Sequence, residues 1–207
     1  MSMEKQRPEP ERAYEELGDL LPAIYRFLDR GTAAGRQDLE MRKRPYDVHH
    51  FGSMVRNELR NLLSDHAKNA DPRLTVNEDL PMNGIDLTYG PYHLKVRKGR
   101  DHVAPSARSE VGRAFMEQRS LFEDEPDVLN LVVNYDLDSR HELAVVELLC
   151  PNGPGEEAAW WKEIPSPLMA AVVAPSATPA VEDLPLGEEE LAAEEEPQQG
   201  SADKTGA

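Results

Sequence analysis

Two apolar stretches, VLNLVVNYD at residues 128–136 and ELAVVELLC at residues 142–150, decide the fold class of this chain. Both consist largely of aliphatic residues, and the polar segment between them, residues 138–141, is typical of a turn. Their near-continuous apolar character indicates paired strands that are covered on both faces over part of their length. We therefore expect a hairpin inside a layered α/β structure.

The segment at residues 84–98 predicts a second hairpin. Ile85, Leu87 and Tyr89 alternate with polar residues, the Gly-Pro pair at 90–91 forms a turn, and the alternation resumes at residues 92–98. Further elements are indicated by apolar spacing and capping residues: a helix that begins after Asp47, a short strand at 74–76, a helix at about 107–122 and an edge strand near 160–165.

The order of these elements predicts an α+β domain over residues 45–167, with a mostly antiparallel sheet of about five to six strands and helices packed on it. Residues 13–44 are predicted to be a helical extension and linker. Its second helix is expected to stop at Gly31, with residues 31–44 as the linker. Residues 1–12 and the acidic tail at 168–207 have compositions typical of disorder.

The net charge of −16 is distributed unevenly along the chain. Residues 41–120 carry 10 acids and 14 bases, a net of +4, whereas residues 121–170 carry 11 acids and 2 bases, a net of −9. The overall acidity argues against a nucleic-acid binder, but the basic middle leaves that class open. The single cysteine excludes an intrachain disulfide, and the sequence contains no long apolar run or secretion signal, so we expect a cytoplasmic protein without membrane contact.

The order helix, three strands, helix, strand over residues 47–150 is similar to the core of PD-(D/E)XK nucleases. That family places an aspartate on one strand and an acid-x-lysine triplet on the next, and the two carboxylates hold a divalent metal. The resemblance implies catalytic candidates at Asp86, His93 and Lys95, with Glu58 as a further acid on the first helix, and Mg²⁺ as cofactor. His93 departs from the pattern because Mg²⁺ prefers oxygen ligands. The side chains of Asp86, His93 and Lys95 are equally consistent with the solvent-facing half of an amphipathic hairpin.

A run of basic residues is the strongest nucleic-acid candidate, and it comprises Lys95, Arg97, Lys98 and Arg100. These residues could contact phosphates. Alternating bases on a strand are also typical of a solvated face or a protected sheet edge. A third interpretation is that the acidic tail screens them.

The neighbouring residues Trp160 and Trp161 indicate a protein interface. Adjacent strand residues point to opposite faces, so one indole is expected to be less buried than the other. The strands at 128–150 and this closing tryptophan strand resemble those of a group of uncharacterised bacterial proteins, which supports the domain limits and a bacterial source but implies no mechanism.

These observations favour a non-enzymatic regulatory or accessory protein that acts through protein–protein contacts and has no cofactor. The alternative is a nucleic-acid-associated protein with a PD-(D/E)XK-like core, either an active or a degenerate nuclease.

Overall fold

The computed structural model describes residues 7–42, 47–77, 84–119 and 128–167, which all fall within one compact unit. Predictions for residues 1–6, for 43–44 of the linker, for 120–122 of the fourth helix and for the tail at 168–207 lie outside these ranges. Within the described ranges the elements are, in order, α1 (Pro10–Glu16), α2 (Leu20–Arg42), α3 (Val48–Asn69), β1 (Leu74–Val76), β2 (Ile85–Tyr89), β3 (Tyr92–Lys98), α4 (Glu110–Met116), β4 (Leu129–Leu137), β5 (Leu143–Cys150) and β6 (Trp160–Glu163).

The six strands form one sheet whose spatial order, β1 to β6, is also the order along the chain. Four of its five strand pairs are antiparallel. The exception is β3 with β4, which run parallel, with Leu94 opposite Leu131. The predicted fold class, a mostly antiparallel sheet of five to six strands with packed helices, is confirmed. The parallel pair was not predicted, and it requires the chain to cross one face of the sheet between residues 98 and 129.

The helices cover the two faces of the sheet unequally. Strand residues such as Leu87, Leu94, Val133 and Leu148 contribute to the large core on one face, together with apolar residues of α1, α2 and α3. The other face, which we call the α4 face, carries a small apolar cluster: Ala104, Phe115, Met116, Val132 and Leu149. Polar side chains therefore occupy much of the α4 face.

The N-terminal helices belong to the main core. Leu17, Leu21, Ile24 and Leu28 are almost completely buried in that core. The predicted helix stop at Gly31, and the linker predicted for residues 31–42, are wrong because α2 continues to Arg42.

Gly31 and Gly35 allow α2 to approach α3 closely. A β-carbon at Gly31 would lie 3.2 Å from the backbone oxygen of Val55, and one at Gly35 would lie 2.8 Å from the Phe51 ring. The glycines are therefore contact residues inside a helix, whereas the sequence pattern had indicated a helix end. Pro22 is the third residue of α2, where a backbone N–H has no partner within the helix.

Helix α3 begins as predicted. The Asp47 carboxylate accepts hydrogen bonds from the backbone N–H groups of His49, at 2.9 Å, and His50, at 3.2 Å. Helix α4 is shorter than predicted: Ser109 caps its start, and Gln118, with φ of 52°, lies just beyond its end. None of the helices in the described ranges is long and apolar enough to cross a membrane.

Substitutions of two helix glycines are expected to change the free energy of unfolding in opposite directions. Gly35→Val should lower the free energy of unfolding by about 2 kcal/mol, because the added methyl groups collide with the Phe51 ring. Gly52→Ala, on the facing helix, meets only the flexible end of Arg56 and should raise it by up to about 1 kcal/mol. Urea denaturation measures both. A Gly35→Val protein as stable as wild type would contradict the close approach of α2 and α3.

Candidate functional site

Three of the four predicted catalytic candidates lie together on the α4 face. Asp86 on β2 stands opposite Lys95 on β3, and His93 follows two residues before Lys95 on the same face. His93 Nε2 forms a short hydrogen bond with Asp86 Oδ1, and Lys95 Nζ lies 3.8 Å from Asp86 Oδ2. Both oxygens of the carboxylate are therefore engaged by cationic or potentially cationic partners.

Phe115 of α4 covers this cluster. Lys95 Nζ lies 4.0 Å from the centroid of the Phe115 ring, and the His93 ring meets the same ring edge-on at 5.0 Å. The Lys95 and Asp86 side chains are only 12% and 11% exposed. Burial lowers the pKa of Lys95, while the charge of Asp86 opposes that effect. The result is a compact, mutually paired cluster, rather than the solvent-facing hairpin side that the sequence also allowed.

Glu58 lies apart from this cluster. Helix α3 packs on the opposite face of the sheet through Phe51, Val55 and Leu59, and Glu58 faces Arg30 of α2, with 3.6 Å between its Oε1 and the arginine Nε. Within residues 7–42, 47–77, 84–119 and 128–167, no group of three or more His, Cys, Asp or Glu side chains is placed to hold a metal ion. The four-residue catalytic arrangement implied by the nuclease resemblance is thus not assembled.

The four residues of the basic run, three on β3 and Arg100 just after it, lie in different environments. Lys95 is buried beside Asp86, and Arg97 follows it on the α4 face, whereas strand alternation directs Lys98 to the other face. Arg100 pairs with Asp136, with 3.3 Å between Nε and Oδ2. Nucleic-acid binding by these four residues remains a prediction, but they do not form one continuous unpaired strip.

The two tryptophans point to opposite faces of β6, as predicted. Trp160 packs against the main core, and its indole N–H donates a hydrogen bond of 2.9 Å to the backbone oxygen of Pro8. Trp161 points to the α4 face and is 45% exposed. Its indole is stacked on the imidazole of His102, with ring centroids 3.6 Å apart and planes within 3° of parallel.

A buried carboxylate contacts the imidazole ring of His102. His102 Nδ1 lies 2.6 Å from Oε2 of Glu147, whose side chain is only 4% exposed. His102 and the preceding Asp101 both have left-handed backbones, with φ of 59° and 56°. This conformation is uncommon for residues other than glycine, although aspartate and histidine adopt it more often than most.

Two further contacts fix the segment that carries His102. The buried Asn134 side chain donates a hydrogen bond of 3.1 Å to the backbone oxygen of Val103, and the backbone N–H of Ala158 donates one of 2.9 Å to the oxygen of His102. Val103 also bridges to Glu157 in the segment that leads into β6. Hydrogen bonds thus connect the segment that carries His102 with the segment that leads to Trp161.

Sequence reasoning did not find His102 or Glu147. A glutamate in the middle of the apolar strand at 142–150 was an available signal, because a charged residue in a buried strand requires a partner. For His102 no local signal existed, since its role depends on a loop that crosses the sheet. Cys150 is buried, and burial raises the pKa of its thiol to about 11.

Comparisons with protein-family models, with curated proteins and with solved structures each found no match for this chain.

The paired cluster predicts an asymmetry between two substitutions. Asp86→Asn should lower the free energy of unfolding by about 3 kcal/mol, because it leaves the Lys95 ammonium group buried without its counter-charge. Lys95→Met should cost about 1 kcal/mol or less, since the methionine still packs on Phe115 and Asp86 keeps His93. Denaturant unfolding of both variants at pH 7 measures the difference. Equal losses would contradict a buried, charge-paired Lys95.

Proposed function

We propose that this chain is a non-enzymatic accessory or regulatory protein of the cytoplasm, which acts through protein–protein contacts centred on Trp161. The observation that carries this proposal is an indole that is 45% exposed and yet held in one orientation by its stack on His102. Large aromatic side chains contribute most to protein interfaces, especially where their conformation is fixed before binding.

Trp161 differs from the other exposed apolar residues of the described ranges. Five large hydrophobic residues in the described ranges are exposed, and Trp161 is the only aromatic one: the others are Met41, Val48, Val111 and Val145. Burial of an indole stabilises a protein by roughly 2 kcal/mol or more, and an exposed indole does not contribute this free energy. A binding partner that covers it recovers this free energy.

The state of the chemically capable side chains supports a non-enzymatic role. Asp86, His93 and Lys95 satisfy one another beneath Phe115, and the Cys150 thiol is buried with a raised pKa. A catalytic group requires contact with a substrate, and these groups instead contact one another or the core.

The proposal predicts that Trp161→Ala weakens the binding of a partner. Full-length tagged protein would be used to capture proteins from a lysate of the source cells, and a protein identified by mass spectrometry would be purified and its affinity measured. We expect Trp161→Ala to weaken binding by about tenfold or more. Val48→Ala, which also truncates an exposed apolar side chain but lies on α3, serves as the control and should bind as wild type. Unchanged affinity for the Trp161→Ala protein would exclude Trp161 as the contact.

A second candidate function is a nucleic-acid-associated protein with a degenerate or active PD-(D/E)XK-like core. It is favoured by the meeting of the Asp86 and Lys95 side chains on adjacent strands, with 3.8 Å between their charged atoms. In this interpretation His93 stands where the triplet has its acid. Its ring is hydrogen-bonded to the Asp86 carboxylate, which would otherwise hold Mg²⁺.

This candidate predicts that His93→Glu creates a magnesium site. The introduced carboxylate would share Mg²⁺ with Asp86, so 10 mM MgCl2 should raise the Tm of this variant, by about 3 °C for a millimolar site. His49→Glu, the same substitution at an exposed helix start, should show no such rise. Cleavage and gel-shift assays on DNA over a range of salt concentrations complete the test. If His93→Glu does not respond to Mg²⁺ and no salt-sensitive binding is seen, the second candidate fails.

A further inference from the structure

The surface around Trp161 is acidic. Glu163 follows Trp161 on the same face of β6, Asp101 precedes the stacked His102, and Glu157 lies in the segment that bridges to Val103. All three carboxylates are exposed. None of them has a side-chain hydrogen bond or ion pair with another residue in the described parts of the chain.

Three basic residues close to Trp161 and His102 in the sequence have contacts elsewhere. Lys162 lies on the other side of β6, where its Nζ is 4.7 Å from the centroid of the Tyr14 ring. Arg100 pairs with Asp136. His102 Nδ1 contacts the buried Glu147 carboxylate. The three exposed carboxylates therefore lie on the segments that carry Trp161 and His102, and none of them has a basic side-chain partner in the described ranges.

We infer that the protein partner binds this surface through a basic segment, with an arginine or lysine side chain packed on the exposed part of the Trp161 indole. This inference rests on the proposed function and names the chemistry of its partner. A cation is attracted both by the face of an indole ring and by nearby carboxylates. Arginine suits both contacts best, because its planar guanidinium stacks on aromatic rings and donates two parallel hydrogen bonds to a carboxylate.

Other classes of ligand fit this surface poorly. An apolar segment would remove Glu157 and Glu163 from water without supplying partners, which is costly. An acidic protein or a nucleic-acid backbone would be repelled by the same carboxylates. Charge complementarity therefore selects a basic protein segment.

The test uses the full chain and a blocked peptide, acetyl-Arg-Gly-Arg-Gly-Arg-amide, in a titration followed by the two indole N–H signals in NMR spectra. We expect the Trp161 signal to move and the Trp160 signal to stay, because the Trp160 indole N–H is bonded to Pro8 on the other face. The corresponding peptide with glutamate in place of arginine should move neither signal.

Two charge-matched variants locate the binding surface. The triple substitution Asp101→Asn, Glu157→Gln and Glu163→Gln should weaken binding of the arginine peptide about tenfold, measured from the Trp161 signal. Asparagine tolerates the left-handed backbone of residue 101. The control removes three carboxylates from the acidic C-terminal segment, with Glu188→Gln, Glu189→Gln and Glu190→Gln, and should change the affinity by less than about twofold.

Failure of this inference and failure of the proposed function give different results. If the control weakens peptide binding as much as the site variant does, or if the Trp160 signal moves as much as that of Trp161, the inference is overturned. If a captured partner is lost by Trp161→Ala but retained by the triple variant, the inference fails while the proposed function stands. If Trp161→Ala retains the partner, the proposed function itself fails.

Discussion

The parallel pairing of β3 with β4 is the constraint on which the rest of this structure depends. Two parallel neighbours cannot be joined by a tight turn, so the chain must cross one face of the sheet before β4 begins. That crossover carries both residues that define the α4 face: Phe115, which covers the Asp86 cluster, and His102, which supports Trp161. An all-antiparallel meander would leave this face open to water.

Two buried carboxylates on the α4 face are stabilised in related ways but have different surroundings. Asp86 and Glu147 each accept a contact from a histidine, and both are nearly inaccessible. Around Asp86 the lysine and the phenylalanine complete a closed cluster. Around Glu147 the histidine is itself partly exposed and supports an indole at the surface. The same electrostatic requirement, that a buried charge needs a partner, thus gives a closed cluster at one place and an accessible contact at the other.

Local patterns predicted the elements well, and non-local contacts account for what they missed. The alternation at 92–98 gave the bounds of β3, and it placed Asp86 and Lys95 on the polar sides of their strands, whereas their grouping as one site came from the nuclease resemblance. The end predicted at Gly31 failed because a glycine that caps a helix and one that contacts a neighbouring helix look alike in sequence. The partnership of His102 with Glu147 was not predictable, since 45 residues separate them and only the crossover brings them together.

The hydrogen bond from the Trp160 indole to Pro8 has a consequence for the order in which the protein forms. It joins residues 152 positions apart, and Tyr14 likewise donates to the backbone oxygen of Glu163. During synthesis the first helix leaves the ribosome long before β6 exists, so its final contacts must wait for nearly the whole domain. Closing a loop of that length costs on the order of 4 kcal/mol of chain entropy. The strand that carries Trp161 therefore docks late, and a nascent chain has no assembled Trp161–His102 pair until the domain is complete.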